Sequence, residues 1–195
     1  MGTRAKETID RTEIRLAGEG GQGMILAGII LAEAAAVYDG KNAVQSQSYG
    51  PEARGGASRA EVVIAVGEID HPEVLQADAV VALSQEAYLK YARNLKPEAL
   101  LIIDGEKVTP IRGDRLVSIP ITKIALDVTG RAITANVVAL GVLVGLTGVV
   151  SRAAIEKAVA ARAPKGTEEL NRKALHAGFE AAENVGVAGE GKQPA

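Results

Sequence analysis

The feature that most limits what this chain can fold into is an unbroken passage from a short strand, through a hexapeptide rich in glycine, into an apolar helix. TEIRLA from Thr12 to Ala17 reads as the strand, and GEGGQG follows at Gly18 to Gly23. MILAGIILAEAAAVY from Met24 to Tyr38 meets its first charge only at Glu33. Such an order predicts a βα unit, in which the helix packs on a sheet and the glycines let the backbone turn tightly between them. Asp39-Gly40 ends the helix, since glycine takes the left-handed conformation there without a side-chain clash.

The same alternation continues along the chain. Strand-like runs recur at Asn42 to Ser48, Glu61 to Val66, Ala77 to Leu83, Leu100 to Ile103 and Arg115 to Ile121, the last ending near Pro120. Ser84 is placed to cap a helix written QEAYLKYARNLK. From Ala132 onward the pattern is helical: Ala132 to Val150, Ser151 to Ala163, and Thr167 to about Asn184. The expectation is an α/β fold, a doubly wound and mostly parallel sheet with helices on both faces and a helical C-terminal portion. Residues 12–185 form its single domain, between a flexible polar segment at 1–11 and a disordered tail at 186–195.

Composition removes several function classes. Twenty-two Lys and Arg against 24 Asp and Glu leave a net charge of -2, so no cationic field gathers nucleic acid. With no cysteine, the chain can form no disulfide, use no thiolate nucleophile and ligate no iron–sulfur cluster through sulfur. His71 and His176 lie too far apart for a zinc-ligand spacing, and no metal site is expected. Both histidines read as structural or exposed. Ala132 to Val150 carries no charge, but it contains Asn136 and is flanked symmetrically by Arg131 and Arg152, so it reads as a buried helix rather than a membrane span. The N-terminal residues have no apolar core of the kind a secretory signal needs, which points to a cytoplasmic location.

Two loops carry the candidate site. In the first, Gly18, Gly20 and Gly23 fit the G-x-G-x-x-G pattern, with Gly21 and Gln22 inside it. Three readings stand: a dinucleotide site, close strand-to-helix packing, or a surface shared with another chain. The nicotinamide fingerprint wants an acid about 20 residues onward, at the end of the next strand. Val44 to Ser48 holds none, and Glu19 adds a negative charge inside the turn. Gln22 is placed to donate to a bound oxygen or to cap its own loop.

The second loop, SYGPEARGG from Ser48 to Gly56, contains Tyr49, Gly50, Arg54, Gly55 and Gly56. Arg54 puts a planar, permanently charged fork beside two glycines that let another molecule approach, which suits a phosphate or carboxylate. Its alternative role is to pair with Glu52 and order the loop. Arg59 is a second cationic candidate or a rim residue. Gly141 and Gly145 would let a helix approach the apolar helix closely, from this chain or from another.

GEGGQG, then SYGPEARGGASRAEVVI, then ADAVVALSQEAY, resemble the gamma subunits of the 2-oxoacid:ferredoxin oxidoreductases, most closely the 2-oxoglutarate type. The resemblance continues through IPITKIALDVTG, ANVVALGVLVGLTG and ELNRKALHAGFE, and so covers roughly residues 12–185. It implies a Rossmann-like subunit of a heteromeric enzyme that decarboxylates a 2-oxoacid oxidatively, forms an acyl-CoA and reduces ferredoxin. Thiamine diphosphate, Mg2+ and the iron–sulfur clusters are then expected on alpha, beta and delta partners, with coenzyme A as co-substrate and no cofactor held by this chain alone. The two glycine loops would meet at one end of the sheet and face the thiamine-bearing partner, with Arg54 on an anion. The alternatives are a purely assembling subunit of the same complex and a free-standing NAD(P)-binding domain. A homo-oligomer is admitted for the isolated chain.

Overall fold

In the computed structural model, which describes residues 11–48, 56–111 and 116–189, the first βα unit forms as its sequence dictates. Strand β1 (Arg11–Glu19) leads through the glycine turn into helix α1 (Met24–Glu33). The helix closes in a wider π-type turn over Ala34–Tyr38, and Gly40 beyond it has φ +64°. Strands β2 (Asn42–Ser48) and β3 (Ala57–Ala65) follow, then β4 (Ala77–Ala82), helix α2 (Gln85–Tyr91), β5 (Leu95–Asp104) and β6 (Leu116–Ile119). Four helices complete the described chain: α3 (Ile121–Thr129), α4 (Ala135–Thr147), α5 (Arg152–Arg162) and α6 (Glu168–Gly189).

The six strands lie in the order β2-β3-β1-β4-β5-β6. β1, β4, β5 and β6 are mutually parallel, and β3 runs against both β1 and β2. The sheet is thus parallel except for β3, which reverses because its connection to β2, residues 49–56, is shorter than the dozen or so residues a parallel crossover needs. Helices cover both faces unequally. α1 and α3 to α6 bury Ile14, Leu16, Val62, Ile64, Val81 and Ile102, whereas α2 and two connecting segments cover Val63, Val80, Leu101 and Ile103 on the other face.

The uncharged helix is α4, and every residue from Ala135 to Val144 is buried. Its glycines serve α6 of the same chain. A Cβ at Gly141 would meet the Leu175 carbonyl oxygen, and one at Gly145 would lie 2.7 Å from Ala182 Cβ. Ser84 Oγ accepts from Ala87 N at 3.2 Å and caps α2.

Several boundaries differ from the sequence reading. α2 stops at Tyr91 rather than Lys96, because Asn94 takes φ +53° and Arg15 draws the carbonyls of Tyr91 and Arg93 inward. β3 begins at Ala57 rather than Glu61, which places Arg59 on a strand. The last strand ends at Ile119, and Ile121 opens α3, a helix the sequence reading passed over. α6 continues to Gly189, beyond the stop expected at Asn184. Residues 1–10 and 190–195, in the segments expected to be flexible, lie outside the described residues.

Candidate functional site at the carboxyl end of the sheet

β1, β4 and β5 point their carboxyl ends at one rim, where open α/β sheets receive ligands. β1 delivers Gly18 to Gly23 to that rim, β4 delivers Leu83 and Ser84, and β5 delivers Asp104 and Gly105. The antiparallel pairing of β1 with β3 brings the second loop to the same place: Gly18 stands opposite Ser58, and Gly20 N donates to the Gly56 carbonyl at 3.2 Å. Tyr49, Gly50, Arg54 and Gly55 lie outside the described residues, so of the candidates in that loop only Gly56 is placed.

The first loop is held from within. Gln22 N donates to the Glu19 carbonyl at 3.1 Å, and Gln22 Oε1 accepts from Glu19 N at 2.7 Å. Gln22 Nε2 reaches the Leu83 carbonyl at 3.3 Å, tying the loop to the end of β4. A Cβ on Gly18 would lie 2.5 Å from Gln22 Oε1, so glycine there makes room for this clasp. Gly23, at φ +73°, packs against Asn136 at the start of α4, whose Nδ2 donates to the Gly23 carbonyl at 3.2 Å. Gln22 therefore spends its amide on the loop, one of the two roles its position allows.

Among the described residues no side chain caps α1. Its first ladder bond runs from Ala27 N to the Gly23 carbonyl at 3.0 Å, so the amides of residues 24–26 have no partner inside the helix. Glu19 is exposed at the mouth of the turn, and the apolar side chains of Leu26, on α1, and Ile133, just ahead of α4, stand open to solvent.

Behind the loops, on the face that α2 covers, lies an ionic cluster. Arg15 is only 5% exposed; its Nε donates to Glu61 Oε1 at 2.8 Å and its guanidinium also donates to the carbonyls of Tyr91 and Arg93, at 3.0 and 2.8 Å. Glu61 Oε2 stands 3.7 Å from an Arg59 nitrogen, and the Arg59 guanidinium lies 5.3 Å over the Tyr91 ring. Arg59 Nε is buried without a hydrogen-bond partner. Tyr91 in turn donates its hydroxyl to the Ala57 carbonyl at 3.1 Å, and Glu86 accepts from Ala57 N at 3.1 Å. The cluster fixes where β3 emerges from the second loop. Sequence reading ranked Arg59 and overlooked Arg15 and Glu61. Two opposite charges facing each other inside otherwise apolar strands were the available signal.

Asp104 is fully buried at the end of β5. It accepts from the backbone amide and the hydroxyl of Thr122 and from Glu106 N, and so anchors the start of α3 to the sheet. His71 is exposed, and its carbonyl accepts from Arg11. His176 lies 3.3 Å from Glu156 on the outer helices, far from the rim. Among the described residues no group of three or more His, Cys, Asp or Glu side chains is arranged to hold a metal ion, and no helix is long and apolar enough to cross a membrane.

The model of the pyruvate ferredoxin/flavodoxin oxidoreductase family matches residues 13–181. The 2-oxoglutarate synthase subunit KorC of Methanocaldococcus jannaschii is 49% identical over 179 residues, covering 90% of this chain and 96% of that protein. KorC of Archaeoglobus fulgidus is 41% identical over 172 residues, covering 88% of each chain. The crystal structure of a keto/oxoacid ferredoxin oxidoreductase gamma subunit from Geobacter sulfurreducens PCA matches with a TM-score of 0.82 at 52% identity, covering 89% of this chain and 97% of that one. With both glycine loops inside the matched span, the chain belongs to the pyruvate ferredoxin/flavodoxin oxidoreductase family.

Proposed function

We propose that this chain serves a heteromeric enzyme which, with ferredoxin as electron acceptor and coenzyme A as acyl acceptor, converts 2-oxoglutarate to succinyl-CoA and carbon dioxide. Alpha and beta companions, with a ferredoxin-like delta chain, complete the complex in the cytoplasm. Thiamine diphosphate with Mg2+ supplies the carbanion chemistry, and the iron–sulfur clusters carry electrons away. A cluster does not fit this chain, which has no cysteine to ligate one.

The chain's own contribution is the rim. The observation that carries the reading is the bond from Gly20 to Gly56, which brings the ends of two glycine-rich loops together beside the uncapped amides of α1. Unpaired helix amides favour negative charge, and glycine backbones let it come close. Arg54, in the second loop, supplies the positive charge, with a coenzyme A phosphate as its anion and the distal carboxylate of the oxoacid as the second choice. Replacing Arg54 by Ala in the assembled complex should raise KM for coenzyme A about tenfold or more with kcat little changed, since a charge-assisted bond contributes about 1.5–3 kcal/mol. A rise confined to 2-oxoglutarate moves the anion to the substrate carboxylate, and unchanged constants remove Arg54 from the site.

Assembly without ligand contact is the second reading, and Gln22 favours it, because its side chain closes the first loop on itself. The free-standing NAD(P) reading loses support from topology. The dinucleotide fold sets its second strand beside the first and ends it on an acid for the ribose. Here the reversed strand β3 separates β2 from β1, and β2 carries no acid.

A further inference from the structure

We propose that strand β2 is a pairing edge for a second copy of this chain, joining two sheets into one about a two-fold axis at Gln45. β2 pairs with β3 along its full length, from Asn42↔Ala65 to Ser48↔Arg59, and with no other strand among the described residues. Its outer backbone edge is therefore open.

Natural edge strands are blunted by shortness, proline, a bulge or charge. The opposite edge of this sheet follows the rule, since β6 is four residues long and runs into Pro120. β2 has none of these devices. NAVQSQS is seven residues of regular register without proline, glycine or charge. The Ser46 carbonyl accepts from the side-chain Nε2 of its neighbour Gln45, at 3.1 Å, a bond that the backbone of an incoming strand would replace.

Neutrality is what selects a second copy as the occupant. In an antiparallel pair centred on Gln45, Gln45 meets its own image, Val44 meets Ser46, Ala43 meets Gln47 and Asn42 meets Ser48. Each pair keeps its face, because the register change is even, and no pair sets like charges against each other. Such a contact is isologous, as closed two-fold assemblies require. Apolar surface lies beside it. Val37, on the π-type turn that packs near β2, is 66% exposed, and Val66, just past the end of β3 opposite Asn42, is 68% exposed.

The test is the mass of the full-length chain by light scattering over a dilution series, for the native sequence, Ser46→Lys and Ser46→Pro. Lysine sets a charge on the edge, and proline removes an amide while an edge position tolerates it. The native chain should run as a dimer, both variants should dissociate at concentrations at least about tenfold higher, and β2 amide exchange in the native chain should slow as concentration rises. A monomer at every concentration overturns the inference, as does a dimer that neither variant weakens. Circular dichroism matching the native chain shows that a variant still folds, and Ser46→Lys decides the matter if Ser46→Pro does not. Protection of β2 that appears only when companion chains are added assigns the edge to them and also overturns it. None of these outcomes bears on the oxoacid reading.

Discussion

At the scale of single residues, charge inside this fold acts as a fastener. Glu13 is 5% exposed on β1, yet its carboxylate accepts from Arg11 Nε at 2.8 Å and from the amides of Leu75 and Gln76 at 2.7 and 3.1 Å. Burial alone would raise its pKa. The hydrogen bonds from Arg11, Leu75 and Gln76, with the Arg11 charge, outweigh burial and hold the carboxyl below its ordinary value. A folded pKa below the unfolded one gives stability that is complete above the unfolded value, near about 4.3, and is lost as pH falls through the folded value. Glu13→Gln should therefore lower stability at neutral pH and flatten the acid limb. In urea melts from pH 7 to pH 2, the gap between native and variant should close only below about pH 4. A constant gap would mean that the native carboxylate does nothing a neutral amide cannot. The full bond set was not legible in the sequence, because two of its three donors, the amides of Leu75 and Gln76, lie about sixty residues away on the segment before β4.

At the scale of elements, legibility follows the range of the forces. β1, the glycine turn and α1 were readable because local propensity and tertiary burial agree over Thr12 to Tyr38. α4 was readable for the same reason, as an uncharged run with buried neighbours on every side. α3 escaped because Pro120 reads as the end of a strand, although proline also stands at helix starts. Gly130, at φ +70°, was the matching stop signal. The end of α2 could not be read at all, since it depends on Arg15 reaching across from β1 to two carbonyls. Of the site, the glycine loops were legible and the ionic cluster behind them was not. The tightest element contact is between α4 and α6. A Cβ on Gly178 would meet the Val138 carbonyl and would lie 2.8 Å from Gly141 Cα, and both are backbone that cannot swing aside. Gly178→Ala should destabilise the fold by about 1–3 kcal/mol despite alanine's better helix propensity. Gly67→Ala, with open space around it, should be near neutral. Thermal melts of the two variants side by side check the contrast, and equal Tm values would show that α6 shifts without cost.

At the scale of the molecule, the asymmetry of the two sheet faces and the missing chemistry point the same way. Five helices bury one face, while a short helix and two connecting segments cover the other. The rim offers donors, glycine backbone and one exposed acid, Glu19. A reaction that must hold a carbanion and then deliver electrons singly to ferredoxin needs an electron sink, which is cofactor chemistry, and a redox relay, and an iron–sulfur relay needs the cysteine ligands this chain lacks. The purified chain should therefore give no 2-oxoglutarate-dependent reduction of ferredoxin, with or without added thiamine diphosphate, Mg2+ and coenzyme A. Adding it to the other subunits of the complex should restore turnover that those subunits lack without it. The measurement is ferredoxin absorbance under anaerobic conditions, with succinyl-CoA quantified in the same samples. Turnover by the chain alone would place the chemistry here, and full turnover by the companions without it would reduce its part to something other than closing the site.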